Sequence, residues 1–186
     1  IANFLPIFRS LIGLLFLIVI LFSIDTLSLP ARVIFLFRAI AAIAFVADII
    51  IFPDSPELTA LSSVISYTCY SLFIMAAISA ISTRIINEEQ VNQDVIRGGI
   101  CLYLLLGILW YFFYQIILFF DANAFKIPDI ANQGSLLFYF SFTTLTSLGY
   151  GDVSPVNSFA MMLANAEAVI GQLYPAIVIA KLVSLY

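Results

Sequence analysis

The sequence contains no histidine, and only 10% of its residues are charged. General acid–base catalysis relies most often on histidine, and metal sites use histidine, cysteine and carboxylate ligands, so both have little to draw on here. No stretch resembles a zinc, haem or nucleotide motif, and no basic patch suggests nucleic acid. The sequence therefore predicts a protein that is not an enzyme, needs no cofactor and binds no nucleic acid.

Cysteine is also scarce, with only Cys69 and Cys101 in the chain. Both lie within apolar runs, where a cysteine packs as a small hydrophobic residue. We therefore expect two buried, unpaired thiols rather than a disulfide.

Hydrophobic residues are abundant and make up 63% of the 186 residues. A soluble domain of this size needs far more polar surface. Apolar runs of about twenty residues, the length with which a helix crosses a bilayer, recur along the chain. A signal peptide could account for the first run but not for the later ones. Five membrane spans are predicted, at residues 3–24, 31–52, 57–84, 96–120 and 156–183.

Two polar segments, residues 87–94 and 121–133, interrupt the later spans. The second is followed by an apolar helix at 134–146, which is too short to cross a membrane, and then by a glycine-containing segment. Irregular backbone at membrane depth is tolerated only where protein buries it or where it lines water, so this order predicts a re-entrant pore loop. The predicted fold is an all-α integral membrane protein with N-terminal spans at 1–94 and a pore domain at 95–186.

The segment from Thr143 to Asp152 reads TTLTSLGYGD. Backbone carbonyls can replace the water shell of a potassium ion if successive carbonyls turn toward one axis, in a conformation that alternates in handedness and favours glycine. Two glycines stand two residues apart, a serine adds a hydroxyl at the inner end, and a tyrosine ring can brace the strand from behind. The predicted potassium ligands lie on Ser147, Leu148, Gly149, Tyr150 and Gly151.

TTLTSLGYGD resembles the filter signature of the potassium channel family, and residues 96–186 resemble its two-span pore module. Ser147 stands in the usual threonine place and Leu148 in the usual valine place. The resemblance implies a homotetramer in a lipid bilayer, with four filter strands around permeant potassium ions, and it places Asp152 at the outer mouth. It also implies an aromatic cuff at Tyr139 and Phe140.

Other residues around the motif are candidates for supporting the filter. Hydroxyls of Thr143, Thr144 and Thr146 can satisfy backbone groups or face the inner cavity, although the family resemblance implies that Thr143 replaces an acidic partner of the outer aspartate. An intramembrane carboxylate such as Glu167 is a functional candidate by default. It faces the cavity or, as we favour, is buried and bonds to the end of the short helix or to the back of the filter, with Asn165 or Gln172 as candidate partners.

The last span contains Gly171 and Pro175. The resemblance implies a gating hinge at the glycine, and close helix packing is the alternative, because small residues are favoured where helices touch. A proline four residues further on should kink the helix. We therefore expect a bend near residues 171–175.

Basic residues set the expected orientation by the positive-inside rule. With residues 87–94 in the cytoplasm, five of the seven basic residues lie at cytoplasmic ends, which places the filter mouth outside and residue 186 inside. The expected location is the cell membrane. Residue 1 is then external, or a further span precedes it. A cytoplasmic regulatory domain beyond Tyr186 would fit this orientation.

The first three spans carry no regular array of basic residues, so direct voltage sensing is not expected, and the role of residues 1–94 stays open. A weakly selective cation channel is the main alternative function, because of Ser147 and Leu148. A subunit of a potassium uptake transporter, an intramembrane enzyme and a nonconducting accessory protein are less well matched to a single complete GYGD motif.

Overall fold

The computed structural model describes residues 56–88, 90 and 92–184, together with the isolated helical residues Ala39, Ala42 and Val46. Apart from these three, the first two predicted spans, with Asp48 in the second, lie outside the described residues. The chain divides into two compact units, residues 1–73 and 74–186. The division falls within the first described helix.

That helix, α1, runs from Pro56 to Asn87. Proline is favourable in the first helical turn, where its missing N–H needs no partner. Many hydroxyls along α1 donate to the carbonyl one turn earlier, as Ser66 does to Ser62 and Thr83 to Ser79. These bonds satisfy polar groups within the helix itself, so that serine and threonine fit an apolar environment.

Helix α2 runs from Gln93 to Phe120. Asn92 begins it as the N-cap residue, because its side chain accepts a hydrogen bond of 2.9 Å from the Val95 N–H. This cap satisfies one of the amide groups that a helix start leaves without a partner. The predicted span at 96–120 therefore starts one turn too late, since the polar first turn of α2 belongs to the helix.

Two short strands, β1 at Phe125–Lys126 after α2 and β2 at Ser154–Pro155, form an antiparallel pair. The sequence predicted only a loop before the short helix. The strands are two residues long and one contains a proline, so they give no periodic signal. The Val156 N–H also donates to the Ala124 carbonyl at 2.7 Å. The strand pair thus joins the segment before the short helix to the segment after the candidate filter.

Helix α3 spans Gln133–Leu145, after a single 3-10 turn at Ile130–Asn132, and α4 spans Ser158–Ser184. Among the described residues, α1, α2 and α4 are long and apolar enough to cross a membrane. Helix α3 is half their length, in agreement with the predicted re-entrant helix. The all-α membrane fold is confirmed.

A core of buried side chains joins α2, α3, α4 and the strand pair. Its central members include Tyr114, Leu137 and Leu145, which are fully buried. The two cysteines are free thiols, but Cys101 is exposed and Cys69 half-buried, so the expectation that both are buried was wrong. An apolar run in a membrane helix includes positions that face outward, since lipid is as apolar as a protein core.

Candidate functional site

The segment after α3 has a backbone that alternates in handedness. Ser147, Gly149 and Gly151 have φ values of 55°, 53° and 78°, whereas the intervening Leu148 and Tyr150 do not have positive φ. Ser147 is the one non-glycine residue with positive φ in the described part of the chain. This alternation is the conformation that turns successive carbonyl groups to one side of a strand.

The amide groups of this segment are held by the end of α3. The Thr143 carbonyl accepts from the N–H groups of Leu148 at 2.8 Å and of Gly149 at 3.2 Å, and the Ser147 N–H donates to Thr144 at 2.9 Å. No carbonyl of residues 147–151 accepts a hydrogen bond from any described residue. The last helical carbonyls therefore fix the strand, and its own carbonyl oxygens remain available to a cation.

The three threonines at the end of α3 differ in their environments. Thr143 is buried and its hydroxyl donates to the Phe140 carbonyl at 3.0 Å, while the exposed Thr146 hydroxyl donates to the Phe142 carbonyl at 2.7 Å. Thr144 is half-buried. Two of the hydroxyls thus satisfy backbone groups of the helix end, which is one of the two roles predicted for them.

The two aromatic residues predicted to form a cuff point to different partners. The Tyr139 ring lies parallel to the Tyr150 ring, with centroids 6.1 Å apart, and its hydroxyl forms a hydrogen bond with Asp152. Phe140 is buried in the core against Tyr114. Only Tyr139 therefore braces the candidate filter within one chain.

Gly171 lies against the end of α3. A Cβ atom at this position would come within 1.9 Å of the Leu145 carbonyl oxygen, so only glycine permits this approach of α4. The Tyr103 hydroxyl of α2 donates to the same oxygen at 3.3 Å. Close packing explains this glycine in the structure, and a hinge role stays a prediction. Helix α4 continues without interruption past Gly171 and Pro175.

Glu167 lies one turn before this glycine and is fully buried. One of its oxygens is hydrogen-bonded to the Ser141 hydroxyl of α3, at 2.6 Å, and the other accepts from the Tyr114 hydroxyl of α2. The carboxyl group thus lies behind the short helix and does not line a cavity. Its partners are not the predicted Asn165 or Gln172.

The Gln172 amide instead donates to the Ser147 hydroxyl at 2.9 Å. Helix α4 therefore contacts Ser147, the first residue of the candidate filter, directly. The prediction that this glutamine bonds to Glu167 was wrong, because residues five apart on a helix lie on different faces.

Helices α2 and α3 pack closely where α2 has a glycine, Gly107. At Gly107 a Cβ atom would lie 2.7 Å from the Phe142 ring, and the Gly107 carbonyl accepts from Ser141 at 2.7 Å. The sequence pattern predicted no role for Gly107, Tyr114 or Ser141. The signal available for the last two was a polar side chain at a position that packs in an apolar core.

Helix α4 and the residue before it also contact α2 and the residue after it, at two places. The Tyr174 ring stacks on Tyr103 with centroids 5.6 Å apart, and its hydroxyl donates to the Gly99 carbonyl at 2.6 Å. Directly before α4, the Asn157 side-chain amide donates to the carboxylate of Asp121, the residue after α2, at 2.7 Å. Contacts with the α2 region therefore lie on both sides of Gly171, where α4 packs against the end of α3.

Comparison with known proteins gives a family match. Residues 98–186 match a protein family described as ion channel. No curated protein and no solved structure matches the chain. The matched range begins in the second turn of α2 and contains α3, the TTLTSLGYGD segment and α4.

Proposed function

Because residues 98–186 match the ion channel family, we propose that this chain is one subunit of a potassium-selective channel that conducts potassium passively across a membrane. The observation that carries the proposal is the alternation of positive φ at Ser147, Gly149 and Gly151, with the carbonyls of the segment free of hydrogen bonds. Rings of such carbonyls replace the hydration shell of potassium.

Four chains supply the ring. One chain contributes one strand, and a ring of carbonyl oxygens requires several strands around an axis. The exposure of the strand supports this assembly, since 56% of Leu148 and 66% of Tyr150 are accessible in the single chain. A lipid bilayer surrounds the homotetramer, and the permeant ligand is potassium.

Asp152 belongs to the outer mouth of this pore. It follows Gly151 directly, is exposed, and is held by Tyr139. A ring of carboxylates at a pore mouth raises the local concentration of cations. The charge distribution of the sequence favours a mouth on the outer face of the cell membrane and a cytoplasmic residue 186.

The decisive experiment is ion flux from liposomes that contain the purified full chain. We expect potassium flux well above sodium flux, and no flux from the Gly149→Asp variant, because a side chain strains the backbone at φ 53° and this one would add a carboxylate beside the proposed ring of carbonyls. The matched control is Gly134→Ala, far from the strand. Equal potassium and sodium fluxes would favour the weakly selective cation channel, and normal flux in Gly149→Asp would refute the filter assignment.

A further inference from the structure

The Glu167 carboxyl group lies where α2, α3 and α4 meet, with no exposed surface. Its two oxygens contact the hydroxyls of Tyr114 and Ser141. Ser141 Oγ is also 2.7 Å from the Gly107 carbonyl oxygen. Among the described residues no lysine or arginine forms an ion pair with this carboxyl group.

The hydrogen atoms in this cluster can be counted. Three close oxygen–oxygen contacts need three hydrogens, of which the Tyr114 hydroxyl supplies one and the Ser141 hydroxyl one, while the Gly107 carbonyl supplies none. If Glu167 were ionised, one of the two contacts of Ser141 Oγ, at 2.6 or 2.7 Å, would join two oxygens with no hydrogen between them. A protonated carboxyl supplies the missing hydrogen.

Burial leads to the same assignment. An ionised carboxylate in an apolar interior is stable only when charges or several hydrogen bonds compensate for lost hydration. Here Tyr114 is the sole donor committed to Glu167, because the Ser141 hydrogen is needed by Gly107. The neutral acid leaves every polar atom of the cluster with a partner.

We propose that Glu167 is a proton-binding site, whose carboxyl group stays protonated at neutral pH and donates through Ser141 to the Gly107 carbonyl. This chain of hydrogen bonds joins α4 to α3 and α3 to α2. Loss of the proton at alkaline pH breaks the chain and leaves a buried charge one turn from the contact of Gly171 with Leu145. Potassium flux should then fall, a consequence that rests on the proposed function.

Few other titratable groups face this carboxyl. From α2 they are Tyr114, which bonds to it, and Tyr103, which interacts with it electrostatically; both are uncharged phenols at neutral pH. The only titratable residue of α3 is Tyr139, which bonds to Asp152 instead. The remaining titratable residues of α4 are Tyr174 and Lys181, which contact Gly99 and Ile86. An alkaline transition absent from a Glu167 variant therefore belongs to Glu167.

The test is infrared spectroscopy of the full chain in liposomes, compared with Glu167→Gln during a pH titration. We expect a carbonyl band of a protonated carboxylic acid at neutral pH in the wild type, absent from the variant, which converts to carboxylate bands at alkaline pH. If the two spectra at neutral pH differ instead by a carboxylate band, Glu167 is ionised and the proposal is wrong.

Flux is measured on the same samples. We expect wild-type flux to drop at least about fivefold across the infrared transition, as for a buried group left without a partner, and the alkaline-to-neutral flux ratio of Glu167→Gln to stay near one. A parallel flux loss in both proteins would refute the coupling to conduction. Absence of flux in every sample, with the protonated band present, would instead refute channel function and leave the proton site standing.

Ser141→Ala provides a second test that does not depend on the glutamine variant folding. Removing the hydroxyl takes away the acceptor of the Glu167 proton, so the carbonyl band should shift in frequency. Ser135→Ala, at an exposed position of the same helix, should leave the band unchanged. An unshifted band in Ser141→Ala would refute the chain of hydrogen bonds.

Discussion

At the scale of single residues, Ser147 combines two properties that oppose each other. Its φ of 55° is a conformation that glycine adopts readily and that costs other residues about 1–2 kcal/mol. Its hydroxyl, however, accepts a hydrogen bond from the Gln172 amide at 2.9 Å and lies at the inner end of the proposed filter. Serine therefore supplies an oxygen at a position where glycine would be less strained.

A pair of substitutions at Ser147 separates these properties. Ser147→Gly and Ser147→Ala both remove the hydroxyl, but only alanine keeps a Cβ atom at positive φ. We expect the alanine variant to be less stable than the glycine variant by about 1 kcal/mol, from thermal unfolding in detergent. Equal stabilities would contradict a left-handed backbone at this residue.

Tyr139 and Asp152 form the second residue-scale contact that can be tested. Tyr139→Phe keeps the ring parallel to Tyr150 but removes the hydrogen bond to the carboxylate. Without this contact the carboxylate at the proposed pore mouth is less firmly positioned, so we expect weaker discrimination against sodium, measured as reversal potentials in mixed potassium and sodium. Asp152→Asn should have a similar effect, and the double variant should fall short of the sum, whereas additive losses would contradict the contact.

At the scale of elements, glycines set how closely the helices approach. Gly171 admits the Leu145 carbonyl of α3, and Gly107 admits the Phe142 ring. The first contact is with backbone, which cannot rotate away, and the second is with a side chain. The position of the short helix, and with it the strand that it anchors, therefore depends most strongly on Gly171.

Gly171→Ala should displace α4 from the end of α3. We expect a loss of stability of about 1–3 kcal/mol, as for an overpacked core, together with loss of potassium flux. Gly134→Ala is the control, since its Cβ atom would lie 3.6 Å from the nearest heavy atom. A Gly171→Ala protein of unchanged stability and altered opening would favour the hinge over close packing.

The elements differ in how far the sequence predicts them. Hydrophobic runs of sufficient length gave α1, α2 and α4 to within a few residues, and the order of runs gave the half-length helix. The pairing of β1 with β2 was not predicted, because strands of two residues have no periodicity. The cluster around Glu167 was missed because its partners Tyr114 and Ser141 are distant in sequence, and only packing brings them together.

At the scale of the whole molecule, one chain leaves the proposed filter open on one side. Nothing lies within 4 Å of a Cβ atom built at Gly149 or Gly151. Much of α4 is also exposed, including large apolar side chains such as Phe159, Met162 and Val169. Lipid can cover apolar side chains, but it cannot satisfy backbone carbonyls, and the partner chains and ion of the proposed channel would do so.

Mixing experiments count those partners. If four chains form one pore and a single Gly149→Asp subunit blocks it, co-reconstitution of equal amounts of wild-type and variant chains before assembly should leave roughly one-sixteenth of the wild-type flux, since all four subunits must be wild type. Mixing the same proteins after separate assembly is the control and should leave half. Half the flux in the first mixture would contradict a shared pore, and one-quarter would indicate a dimer. The fourth-power dependence follows only if every chain contributes its own strand to one ring of oxygens.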